Sequence, residues 1–227
     1  MSGTRNNSGS DLKVIPGWPP VQVAASRVAA RSEFAFALSG IGLAVFMVLH
    51  TGLLLSSHFS AAVMDELAFF LEWTYLLQIA TPLLIVLILT HVVLASRKLP
   101  STAPQQLALI RQVRVLGHFD SWLWILQIAT GVGLLSLVSI HFWEVLTDLP
   151  IQAVKSGGRV REALFTFSAP FIVLVQAHLA AGLYRISVKW GVFARRWARV
   201  ATAIWLALFL ILDTAIILAL YDVGGRP

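Results

Sequence analysis

The sequence predicts an all-α membrane protein: a five-transmembrane-helix bundle with its N-terminus in the cytoplasm. Three observations carry this. Of the 227 residues 58% are hydrophobic and only 12% charged, with a mean hydropathy of +0.80; soluble domains of this size rarely look like this. Five apolar runs are each long enough to cross about 30 Å of hydrocarbon. The basic residues gather in alternate connections between those runs. The chain divides into an N-terminal arm (1–32), a membrane domain (33–222) and a short tail (223–227).

The arm is polar and Pro-rich at its start and has no apolar core of a secretory signal. From Asp11 to Ala30, with Pro16, Gly17, Pro19 and Pro20, it reads as an irregular segment that packs on a soluble partner. Ser32-Glu33 is a plausible N-terminal cap for a first span over about Phe34 to Ser56. The second span covers about Thr74 to Ser96, the third about Trp122 to Val145, the fourth about Leu164 to Val188 and the fifth about Ala198 to Leu220. No span carries an aliphatic heptad seam, so a packed bundle is expected rather than a coiled coil. Pro82 and Pro170 are candidate kinks.

Charge sets the direction. The arm carries Arg5, Lys13, Arg27 and Arg31, and the second connection carries Arg97, Lys98, Arg111 and Arg114. The border of the fourth and fifth spans carries Arg185, Lys189, Arg195, Arg196 and Arg199. Thirteen of the 17 basic residues thus fall on one side, which the positive-inside rule makes cytoplasmic. Because these residues flank apolar spans and form no single stripe, the net charge of +6 is no sign of nucleic-acid binding.

Four spans contain one histidine each: His50, His91, His141 and His178. An ionisable residue inside a bilayer is a functional hypothesis by default. At 1.5 Å per residue, His50 lies roughly 24 Å and His141 roughly 30 Å from the cytoplasmic ends of their helices. His91 and His178 lie roughly 10 Å from that boundary. Depth therefore pairs His50 with His141 near the outer face and His91 with His178 near the inner one. Haem needs only two imidazoles on opposite faces of a flat ring; zinc draws its ligands together and often uses carboxylates or thiolates. The expectation is two stacked haems b, an electron wire between a quinone and a redox partner.

Lys189 and Arg185 return close to the His178 face nearer the cytoplasm and can snorkel to haem propionates; as boundary anchors they need no haem. Gly40, Gly42, Gly131, Gly133 and Gly182 let a porphyrin or a helix approach closely. His58 and His118 fall in interfacial positions and read as ordinary polar residues. The chain has no cysteine, hence no disulfide or iron–sulfur ligand of its own, and no flavin or nucleotide fingerprint. Soluble partners docked on the basic side are implied.

These residues resemble the di-haem cytochrome b subunit of quinol:fumarate reductases and related succinate dehydrogenases. The resemblance runs from about Phe34 to Gly191. It rests on Leu-Ala-Val-Phe-Met-Val-Leu-His50, Leu-Thr-His91-Val-Val-Leu-Ala-Ser-Arg-Lys-Leu-Pro100, His118-Phe-Asp-Ser-Trp-Leu-Trp124, Gln127-Ile-Ala-Thr-Gly131, Ser139-Ile-His141 and, most specifically, His178-Leu-Ala-Ala-Gly-Leu-Tyr-Arg-Ile-Ser-Val-Lys-Trp-Gly191. It implies that His91 and His178 ligate a proximal haem and His50 and His141 a distal one, the pairing that depth reached separately. It implies that Lys189 and Trp124 contact proximal propionates. It implies an iron–sulfur subunit and a flavoprotein with covalent FAD as partners, a dimer of heterotrimers, and a multi-pass place in a bacterial inner membrane. It further implies menaquinol oxidation near the distal haem, using a glutamate between the first two helices; Glu72 and Glu66 are the candidates, or else solvated loop acids.

The chain departs from the pattern in two places. Family members that couple quinol oxidation to transmembrane proton return have a glutamate two residues before the fourth haem ligand, where this chain has Gln176. Either another residue replaces it or the proton economy differs. Two side chains near the proximal propionates are apolar here, as Phe36 and Ala37. Two other readings remain open from sequence: a di-haem cytochrome b serving a hydrogenase or formate dehydrogenase, and a haem-free anchor or transporter with histidine proton relays.

Overall fold

The computed structural model describes residues 27–225. Most of the segment expected to be an irregular arm, with Arg5 and Lys13, and Arg226 in the tail lie outside them. Helix α1 spans Arg27–Leu55, α2 Ala61–Trp73, α3 Leu76–Ser96, α4 Ala103–Leu116, α5 Phe119–Leu146, α6 Ala153–Glu162, α7 Ala169–Lys189 and α8 Arg195–Val223. Among the described residues there is no strand. Five helical stretches are long and apolar enough to cross a membrane: Val28–His58, Leu76–Ser96, Phe119–Leu146, Leu164–Lys189 and Arg195–Val223. They are the five expected spans.

The first span starts earlier than its apolar run. Ser32 caps nothing; its hydroxyl donates to the Ala29 carbonyl within α1 at 2.9 Å. Glu33 instead accepts from Lys98, just past the end of α3, at 2.8 Å and from Lys189 of α7, joining the ends of three helices at the basic end. Pro170 sits at the start of α7, directly behind a π-turn over Leu164–Ser168, so the helical run Leu164–Lys189 changes its hydrogen-bond pattern at this proline. Pro82 does stand inside α3.

Three connections expected as loops are short helices. Ser60, in extended conformation, caps α2 by accepting from the Val63 N–H at 3.1 Å. Thr102 and Pro104 open α4, and Gly117 closes it at φ 61°, a left-handed position that glycine takes without strain. The carboxylate of Asp65 accepts from the Ala153 N–H at 2.7 Å and so starts α6 from α2.

Many buried positions in the bundle are small or polar, and many large apolar side chains face outward. Buried positions include Ala37, Ser39, Ala44, Thr51, Thr130, Ala180 and Ala181, while Leu49, Leu83, Val93, Val132, Ile211 and Leu218 are exposed to lipid. Lipid tails are as apolar as leucine, so helices associate through close packing of small residues rather than by hiding large ones. Helix α1 packs on α3, α5 on α7, and α8 on α7 and α1. Away from the basic end, a satellite core of Met64, Ala153, Ile216, Leu220 and Val223 joins α2, α6 and α8. There Gly157 and Gly224 bring α6 against the end of α8, backbone to backbone.

The basic residues of that far end are engaged locally. Lys155 and Arg159 hold Asp148 at 2.8 and 2.9 Å, and Arg161 donates to the Tyr221 carbonyl at 3.3 Å. The Lys155 hydrogen bond keeps the Asp148 carboxyl below the usual carboxylate range. At the basic end, Asp120 accepts from the Tyr184 hydroxyl at 2.6 Å and pairs with Arg195 at 3.3 Å, linking α5, α7 and α8.

Candidate functional site

The four span histidines come together in the pairs that depth predicts. His50 on α1 faces His141 on α5 with ring centroids 6.1 Å apart and planes at 77°. His91 on α3 faces His178 on α7 at 6.4 Å and 79°. At these separations one haem iron would take a ring nitrogen from each imidazole of a pair, His50 with His141 and His91 with His178. All four side chains are half-buried, and no group of three His, Asp or Glu side chains among the described residues converges on one point. Each pair therefore offers two imidazoles without a third protein ligand, a donor set that would suit haem b.

The inner pair has its tautomers set. Ser39 Oγ donates to the Phe36 carbonyl at 2.9 Å, so its lone pair is what meets His91 Nδ1 at 3.0 Å. Thr130 Oγ1 donates to the Leu126 carbonyl at 2.7 Å and meets His178 Nδ1 at 3.1 Å; the Gln127 carbonyl is a second acceptor, also at 3.1 Å. Each Nδ1 must then carry its proton, leaving Nε2 unprotonated for a metal. A ligating histidine normally has its other ring nitrogen held in this way. Space for the rings comes from glycine: a Cβ at Gly131 would meet His178 Cε1 at 3.1 Å, and one at Gly40 would meet His91 Cε1 at 3.4 Å. Phe36 stacks on His91 with centroids 4.9 Å apart, and Lys98 Nζ lies 4.1 Å over the Phe36 ring. The apolar departure at Phe36 is thus a wall for the inner pair.

Rings rather than hydrogen bonds orient the outer pair. Phe46 stacks on His50 at 5.5 Å and 18°, and Phe171 lies 5.4 Å from His141.

The structure divides the supporting residues. Trp124 and Arg185 line one cavity of about 350 Å³ at the basic end, with Asp120, Ser121 and residues of α4. Lys189 is not among its lining residues; it pairs with Glu33 alongside Lys98. Glu66 is exposed and Glu72 half-buried on α2, at the His50 end of the bundle. Reading the sequence alone overlooked Ser39, Gln127 and Thr130 as partners of His91 and His178. The signal for two of them was present: Gln127, Thr130 and Gly131, at spacings of three and four, share one face of α5.

Comparison with known proteins adds an independent line. Residues 104–216 match the family model described as succinate dehydrogenase/fumarate reductase transmembrane subunit. The fumarate reductase cytochrome b subunit of Helicobacter pylori is 31% identical over 179 residues, which cover 74% of this chain and 70% of that protein. The chain belongs to the succinate dehydrogenase/fumarate reductase transmembrane-subunit family. The Wolinella succinogenes fumarate reductase cytochrome b subunit is another relative, 27% identical over 178 residues with the same coverage of each chain. The family model takes in α4 to most of α8. It therefore includes His141 and His178, while their partners His50 and His91 lie on helices before it.

Proposed function

We propose that this member of the family is the di-haem cytochrome b anchor of a fumarate reductase or succinate dehydrogenase. It passes electrons between menaquinol in the membrane and an iron–sulfur subunit and FAD flavoprotein on the cytoplasmic side. The observation that carries the reading is that the four span histidines meet in two pairs at two depths, with ring centroids 6.1 and 6.4 Å apart, so that each pair would hold one haem iron. Haem iron, when bound, supplies one-electron ferric–ferrous chemistry. The chain's residues do the rest. His91 and His178 hold the proximal haem near the basic end; His50 and His141 hold the distal one.

The basic end carries Arg31, Arg97, Lys98, Arg185 and Lys189 and is cytoplasmic by the positive-inside rule. Lys189, Trp124 and Arg185 stand there for the propionates. Because Lys189 already shares Glu33 with Lys98, a propionate competes with Glu33 for that ammonium. Glu72 is the better candidate than Glu66 for the quinol proton, being half-buried where Glu66 is exposed. The assembly is a dimer of heterotrimers in a bacterial inner membrane.

The test is a haem count on the purified membrane complex with its co-purifying subunits identified. Two b haems per chain and a bound flavoprotein are expected. His50→Ala or His141→Ala should remove the outer haem alone, and His91→Ala or His178→Ala the inner one. Single variants that keep two haems per chain overturn the ligand assignment. A haem-free wild type overturns the function.

A further inference from the structure

One carboxyl group is buried among the described residues, and it lies in the interior of the fifth span. Asp213 on α8 is 7% exposed, about 27 Å along the helix from Arg195 and about 15 Å from Val223. Its partner is Gln176 on α7, 1% exposed, whose Nε2 donates to Asp213 Oδ2 at 2.7 Å. Gln176 Oε1 is also buried and has no hydrogen-bond partner.

The titratable and charged side chains on the elements packed against α8 are few near this level. From α7 comes Gln176, with His178 two residues further toward the basic end. From α1 the titratable residue inside the span is His50, and the turn that follows it, also packed on α8, carries His58. From α6 come Lys155 and Arg159, both taken up by Asp148, and Arg161, taken up by Tyr221. None of them forms an ion pair with Asp213 among the described residues. A lone amide N–H is a small offset to the cost of an ionised carboxylate away from water. A buried acid left without a cation is retained for some reason other than stability, because an apolar residue would pack there at less cost.

The amide suits both protonation states. As it stands, Nε2 donates to the carboxylate. Turned over, it presents the unpartnered Oε1 to the hydroxyl of a carboxyl. Gln176 can therefore stay bonded while the proton comes and goes, although it cannot itself carry the proton.

We propose that Asp213, held by Gln176, is the proton-exchanging group of the membrane interior, binding a proton when electrons enter the histidine-held centres and releasing it when they leave. This rests on the proposed function. One electron arriving from quinol adds one negative charge between the helices. One proton binding to an Asp213 oxygen converts carboxylate to carboxyl and cancels that charge; oxidation reverses both. The proton is exchanged with bulk water.

The test is reduced-minus-oxidised infrared difference spectroscopy of the whole complex, beside a titration of both haem potentials against pH. The wild type is expected to show a protonated-carboxyl band that appears on reduction. Asp213→Asn, which keeps size and hydrogen bonding, should lose the band and flatten the pH dependence of at least one potential. Gln176→Leu should shift the band without abolishing it, since the acid remains. If Asp213→Asn binds two haems and leaves both band and pH dependence unchanged, the proposal is wrong and the proposed function stands. If the wild type binds no haem, the function itself fails.

Discussion

Gly131→Ala tests the inner site where its tolerances are smallest. The new Cβ would stand 3.1 Å from His178 Cε1, while carbon atoms prefer about 3.5–4.0 Å. The imidazole must therefore retreat by about half an ångström or more. It is not free to do so, because Nδ1 is held by the Gln127 carbonyl and Thr130 Oγ1, each at 3.1 Å. Stretching or losing two hydrogen bonds of about 0.5–1.5 kcal/mol each costs about 1–3 kcal/mol. That converts to a loss of inner-haem affinity between roughly 5-fold and 150-fold. The assay is haem titration of apo-complex followed by absorbance, with Gly158→Ala as control, since a Cβ at Gly158 on α6 meets nothing within 4 Å. Outer-haem affinity should not change in either variant. If Gly131→Ala binds its inner haem as tightly as the wild type, His178 is not a ligand fixed in the position described.

Three further outcomes are expected. Ser39→Ala removes the one side-chain acceptor of His91 Nδ1 and should weaken inner-haem binding about 10- to 100-fold; Thr130→Val should cost less, because the Gln127 carbonyl remains on His178. The same haem titration ranks the two, and equal effects would contradict the hydrogen-bond assignment. Gly157→Val forces a side chain into the backbones of Leu220 and Gly224; overpacking of about 1–3 kcal/mol or more should lower the thermal midpoint in detergent by several degrees while two haems are retained, and an unchanged midpoint would mean α6 does not pack there. The Asp148 carboxyl is held below its usual range chiefly by the Lys155 hydrogen bond. Its contribution is therefore present above about pH 4 and fades as pH falls through the lowered value; Asp148→Asn should remove that part of the acid-side loss of stability in melting curves, and identical pH profiles would refute it.

The legible part of the site was the part that depth alone decides. One histidine per span at two levels names the pairs, because a helix advances at a constant rise and hydrocarbon thickness sets both ends. The residues around the histidines were not legible in the same way. Ser39 meets His91 only because α1 packs on α3, and Phe36 becomes a wall of the inner pair for the same reason. Glu33 looked like half of a helix cap, since Ser-Glu before an apolar run is a common start signal. Its partners, Lys98 and Lys189, are far away in sequence and come close only in the bundle. Short connecting helices were missed because weakly apolar segments such as Ala103–Leu116 lack the long run that marks a span.

By itself the sequence determined that the chain spans a membrane five times, and which histidines share a level. Both follow from local quantities: apolar length against bilayer thickness, and rise per residue. Tertiary structure decided which side chains meet across the bundle. Only packing brought Gln176 and Asp213, 37 residues apart, to hydrogen-bonding distance. The physical reason is that depth is a property of one helix, whereas azimuth, the direction a residue faces among neighbours, exists only after small residues have let the helices close on one another.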